Sequence, residues 1–160
     1  MRYLKYTYFI IFLFTLNLTF SQSMKQDKMK VLNYMVGEWI GISKSYKNGV
    51  VDKQVSAFEK IKYDLDKHII VIDLNSESLQ LHTIIYYDDE DNTYYYNPYS
   101  KSGSRRLPAS FKDGKLIVAA NATTRYVFTT DEEGNFKEYG ERIQNGKWTK
   151  FFEDTFKKSK

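Results

Sequence analysis

After its first two dozen residues, the chain keeps apolar residues at three- to four-residue spacing in only one stretch. Met29, Leu32 and Met35 or Val36 share a face, so Ser23 through Val36 is predicted to form one short helix that Gly37 ends. Beyond Gly37 the pattern shifts to alternation and to short apolar runs. Val55 to Tyr63 alternates, and Ile69-Ile70-Val71-Ile72 is apolar on both sides, as in a strand covered on two faces. Further predicted strands are Leu81 to Tyr87, Thr93 to Tyr99, Arg106 to Phe111, Leu116 to Ala120, Thr123 to Thr130, Phe136 to Gln144 and Trp148 to Phe156.

Between these segments stand turn residues: Asn48-Gly49, Asp66-Lys67, Asp88 to Asn92, Lys101-Ser102-Gly103, Asp113-Gly114, Asn121, Glu133-Gly134-Asn135 and Asn145-Gly146. Asn-Gly and Asp-Gly suit tight hairpins because both central residues need positive φ. Connections this short join only antiparallel neighbours, since parallel pairing needs a long crossover. The expected fold is therefore all-β: an up-and-down antiparallel meander of about ten strands behind one helix. Closure into a barrel is the simplest way to remove its two unpaired edges. Pro108, which cannot donate to a ladder, marks its strand as irregular or as lying at a mouth.

The N-terminal segment belongs to a different class. Arg2 and Lys5 precede an apolar stretch from Tyr6 to Phe20, and Thr19 to Ser23 offers small residues for cleavage. A fifteen-residue helix reaches about 22 Å, short of the roughly 30 Å hydrocarbon core, so a cleaved leader is expected rather than an anchor. The chain then divides into a signal peptide, residues 1–23, and a single domain, residues 24–160, that is secreted or periplasmic and keeps no stable membrane anchor. Without Arg2 and Lys5 the domain has 22 basic against 20 acidic residues, and this near-neutral balance gives no nucleic-acid footprint. The absence of cysteine removes disulfides, thiol catalysis and thiolate metal sites.

Gly37-Glu38-Trp39-Ile40-Gly41 follows the helix directly. With Leu32 to Val36 before it, this segment resembles the helix and Gly-x-Trp-x-Gly opening of lipocalin-like calycin barrels. It is more closely similar to a bacterial family of secreted proteins of unknown function in that group. The similarity continues through His82-Thr83-Ile84-Ile85-Tyr86-Tyr87-Asp88, Glu138-Tyr139-Gly140-Glu141, Asn145-Gly146 and Trp148-Thr149-Lys150-Phe151-Phe152-Glu153, and spans Leu32 to Lys157. It implies a barrel with an internal cavity and supplies no reaction. Nitrobindin-like haem barrels share the opening and hold iron through a late histidine. Here the last histidine is His82, so neither haem nor any other cofactor is expected; His68, His82 and the tyrosines are the only groups left for iron.

The candidate lumenal set is Trp39, Ser43, His82, Tyr86, Tyr96, Arg125, Glu138 and Arg142. Trp39 is either a plug at the barrel floor, with Arg125 or Arg142 laid over its indole, or a ligand contact. Counting by twos from Trp39 reaches Gly41, Ser43 and Ser45, small residues that leave space. His82 shares a strand face with Ile84 and Tyr86 and serves as a polar anchor or a general base. Glu138, if inward, needs a partner, for which Arg142 and Arg125 are available. The tyrosine-rich run from Tyr86 to Tyr99 supports the sheet, and its inward members suit an amphipathic ligand. Asp88 to Asn92 lacks the ligand register of a calcium loop and reads as a solvated hairpin, and no metal site is expected. The function expected is binding of a small apolar or amphipathic molecule in the lumen. The alternatives are a small lumenal enzyme using His82 as base and an interaction module with a filled barrel.

Overall fold

The computed structural model describes residues 24–159; the expected leader lies outside them. The described chain opens with helix α1 (residues 24–30) and a 3-10 turn, Asn33–Met35. Eleven strands follow: β1 Gly37–Lys47, β2 Val50–Asp64, β3 Ile69–Ser76, β4 Gln80–Asp88, β5 Thr93–Ser100, β6 Gly103–Ser104, β7 Leu107–Lys112, β8 Lys115–Asn121, β9 Thr124–Thr130, β10 Phe136–Gln144 and β11 Lys147–Lys158.

Each long strand pairs antiparallel with its neighbours in sequence, and β1 pairs with β11, with Trp39 opposite Lys158 and Ser43 opposite Asp154. The pairing of β4 with β5 completes the circuit, so ten strands form a closed antiparallel barrel and the two-residue β6 is an appendage of β5. The hairpins use the expected chemistry, with positive φ at both Asn48 and Gly49, Asp113 and Gly114, and Asn145 and Gly146. Pro98 sits where the partner of β5 changes from β7 to β6, so its missing N–H breaks no ladder, and β7, which carries Pro108, forms only three pairs with β5.

The opening segment differs from the single helix expected. α1 stops at residue 30 and the chain turns, because only then do Met29, Leu32 and Met35 all reach the barrel end, where each is fully buried. Tyrosine hydroxyls hold this cap. Tyr94 donates to the Lys28 carbonyl at 2.7 Å, Tyr63 to the Met29 carbonyl at 3.2 Å and Tyr34 to the Phe128 carbonyl at 2.9 Å. Trp39 belongs to the cap, its indole N–H donating to the Met35 carbonyl at 2.7 Å and its ring 5.6 Å from that of Phe136. Phe136 in turn stacks on Phe128 and Phe156. These rings pack with Ile61 of β2, Ile70 of β3, Ile85 of β4 and Leu116 of β8 in the capped half of the barrel.

Candidate functional site

The other half of the barrel is not filled. A cavity of about 680 Å³ opens there, on the side of the β3–β4 and β5–β6 turns, with Ser78, Ser102 and Arg105 at its rim. Its wall is laid down by strand alternation. Ser43 and Ser45 come from β1, Ala57 and Glu59 from β2, Ile72 and Leu74 from β3, Leu81 and Thr83 from β4, and Tyr96 from β5. An aromatic side is added by Tyr126, Phe128, Phe151 and Phe152, with Tyr96 5.4 Å from Phe128 and Tyr126 6.1 Å from Phe152. Two consecutive phenylalanines reach one cavity because the β10–β11 register slips between Gly140 and Glu141, which leaves Phe151 as the extra residue of a bulge. Gly140 makes room for them: a Cβ there would lie 2.5 Å from Phe151 Cζ and 2.6 Å from Phe152 Cδ1.

Three carboxyl groups meet on this wall. Glu138 on β10 is the cross-strand partner of Asp154 on β11, which faces Ser43 on β1, and Glu59 approaches from β2, the next strand round. All three are buried and line the cavity. The Glu138 carboxyl is within hydrogen-bond reach of those of both Glu59 and Asp154, a contact that requires at least one shared proton. One oxygen of Glu59 (Oε2) and one of Asp154 (Oδ1) have no hydrogen-bond partner.

Desolvation is the main force on each group. It pushes Glu59 up to about 8, with the neighbouring Asp154 charge adding to the rise and the Glu138 hydrogen bond opposing it. It also holds Glu138 well above the ordinary carboxylate range and raises Asp154. The trio cannot be fully ionised in this setting and keeps protons at neutral pH. Tyr96 is likewise pushed up, first by burial and then by Glu138. Among the described residues no group of three or more His, Cys, Asp and Glu side chains has an arrangement that would hold a metal ion.

Three of the eight residues chosen from sequence, Ser43, Tyr96 and Glu138, line the cavity. Trp39 lies beneath it in the cap, and the cation over its ring is Lys158 at 6.0 Å rather than Arg125 or Arg142. His82 and Tyr86 face outward, because Leu81, Thr83, Ile85 and Tyr87 take the inner phase of β4. His82 instead contacts Asp73 at 2.6 Å on the outer surface, next to a shallow groove that includes Tyr99, so a lumenal base is not available from it. Tyr86 accepts a hydrogen bond from Arg106 at 2.9 Å. Arg125 is also outside, paired with Glu141 at 2.7 Å and stacked on Trp148, and the exposed Arg142 covers Phe151 at 4.7 Å. The expected Glu138–arginine pair is therefore replaced by a carboxyl trio. Glu59 and Asp154 did not figure in the sequence-based set.

Comparison with known proteins finds no family model that matches the chain and no curated protein similar to it. The closed ten-stranded barrel is compatible with the lipocalin-like fold.

Proposed function

We propose that this is an exported, lipocalin-like binding protein that takes a small amphipathic molecule into its lumen. The observation that carries this reading is the cavity of about 680 Å³ in the half of the barrel away from the cap. Its size falls within the range of small-molecule sites, and its wall joins an aromatic and aliphatic side to a serine-rich mouth and three carboxyl groups, a mixed lining that suits an amphipathic guest. Among the described residues one end of the barrel is capped, and the cavity lies toward the other. The basic and apolar leader and the Gly-x-Trp-x-Gly opening support export and membership of the calycin group. Among the described residues no helix is long and apolar enough to cross a membrane.

An interaction module with a filled barrel accounts for only the capped half, and a lumenal enzyme loses the histidine it was built on. The test is occupancy. Ser43 is half-buried on the cavity wall opposite Asp154, so Ser43→Phe places a ring in the space while leaving the ladder intact. The neutral fluorophore N-phenyl-1-naphthylamine is expected to brighten with the wild-type protein and not with the folded S43F variant. Equal enhancement by both removes the lumen as the site.

A further inference from the structure

We propose, resting on the lumenal reading above, that the ligand is a cationic amphiphile: an alkyl or aralkyl amine whose ammonium head is received by Glu59, Glu138 and Asp154 while its apolar body lies against the aromatic wall.

The carboxyl trio is buried, with two oxygens that lack a hydrogen-bond partner. Burying an ionisable group without a partner is costly, and proteins ordinarily avoid it by pairing or by neutralisation. Here three acids share one lumen, and among the described residues the side chains beside them offer no countercharge: Ser43 from β1 hydrogen-bonds Asp154, and Tyr96 from β5 lies next to Glu138 and Glu59, with Thr83 and Tyr126 around it. The Glu153 carboxylate on the outward side of β11 adds only further repulsion to Asp154. Among the described residues the one cation lining the cavity is Arg105 at the rim, and it is not among the groups acting on any of the three acids. The Glu59 side chain is 1% exposed, and its free Oε2 belongs to a residue of the cavity wall. It is a buried acceptor without a partner, on a residue that lines a space large enough for a guest.

An ammonium group answers each of these conditions. It brings three N–H donors, enough for the free oxygens of Glu59 and Asp154 and one more on Glu138. It also supplies the positive charge that lets the acids ionise inside the barrel. Tyr96, Tyr126, Phe128, Phe151 and Phe152 line the same cavity and present ring faces that attract a cation and pack an alkyl or aryl body. A carboxylate or phosphate head would meet three acids and is disfavoured, whereas a neutral alcohol fits without satisfying the charge.

The exchange balances through protons. As the ammonium enters, the protons held by the trio leave to solvent through the mouth, so binding tightens as pH rises. With Glu59 pushed up to about 8, this dependence falls in the neutral to mildly alkaline range, well below the pH at which an alkylamine loses its own charge. One proton released gives about a tenfold gain in affinity per pH unit.

The experiment compares decylamine, decanol and decanoate, which share a tail and differ in head, by isothermal titration calorimetry on the purified protein. Buffers of different ionisation enthalpy report the protons released. At pH 7 decylamine is expected to bind at least tenfold tighter than decanol, with decanoate weakest. Decylamine affinity is expected to rise from pH 6 to pH 8 with net proton release. In the E59Q/E138Q variant the decylamine and decanol affinities are expected to converge to within threefold. Decanol binding by that variant reports an intact lumen. Equal binding of the three in the wild type, or tightest binding of decanoate, overturns the amine assignment and leaves the lumenal reading standing. Binding of none overturns both.

Discussion

Trp39 and Glu59 are cross-strand partners on β1 and β2, and they divide the lumen into cap and cavity. Trp39 is 4% exposed and hydrogen-bonded to the Met35 carbonyl, so Trp39→Ala should cost about 3–5 kcal/mol, measured by urea unfolding. An unchanged unfolding midpoint would show that its pocket collapses freely. Glu59 contributes through its proton. Its folded-state value lies above that of an ordinary glutamate, so the folded protein holds a proton that the unfolded chain releases between about pH 4.5 and 8. Its contribution is fully present below that window and is lost as pH rises through it, with a slope of up to about 1.4 kcal/mol per pH unit for one proton. Glu59→Gln should flatten the decline in urea-derived stability across this window; an identical slope in both proteins would contradict the buried, protonated state. Glu59 was visible in the sequence as the one acid in the inward phase Val55, Ala57, Glu59, Ile61, Tyr63, and Asp154 as the acid between Phe152 and Phe156. Glu138 alone drew attention, because Arg142 shares its parity; the trio depends on barrel closure, which brings β2, β10 and β11 round to one another and which no local pattern records.

The hairpin β10–β11 shows how a short motif sets a wall of the cavity. In Glu138-Tyr139-Gly140-Glu141 the first acid points into the lumen, the glycine admits two phenylalanine rings and the second acid pairs outside with Arg125. Gly140→Ala should overpack that bulge, with a loss of about 1–3 kcal/mol in urea unfolding. A neutral result would mean that Phe151 and Phe152 move aside at no cost. Strand β4 shows why the inner and outer faces were harder to assign than the strands themselves. Leu81, Thr83, Ile85 and Tyr87 face in while His82, Ile84 and Tyr86 face out, and both sets carry apolar residues, so alternation does not choose between them. The opening helix was overextended for a related reason. Met29, Leu32 and Met35 fit a helical period, but the same three residues cover the barrel end only after the chain turns at residue 31.

The closed meander follows from turn chemistry repeated along the chain, which is why strand number and direction could be read from the sequence while the ligand face could not. The proposed export makes a separate prediction for the whole protein: N-terminal sequencing of material from the extracytoplasmic fraction should find a new terminus between about Thr19 and Met24, and an intact Met1 would contradict export. An outer apolar surface competes with the lumen for an amphipathic guest. On it Ile40 and Phe58 pair across β1 and β2 beside Ile42, all three exposed. Isotope-edited NMR with carbon-13-labelled decanol separates them, because nuclear Overhauser contacts report which side chains touch the tail. Contacts to Leu74, Tyr96, Phe128 and Phe152 are predicted; contacts confined to Ile40, Ile42 and Phe58 would contradict a lumenal site.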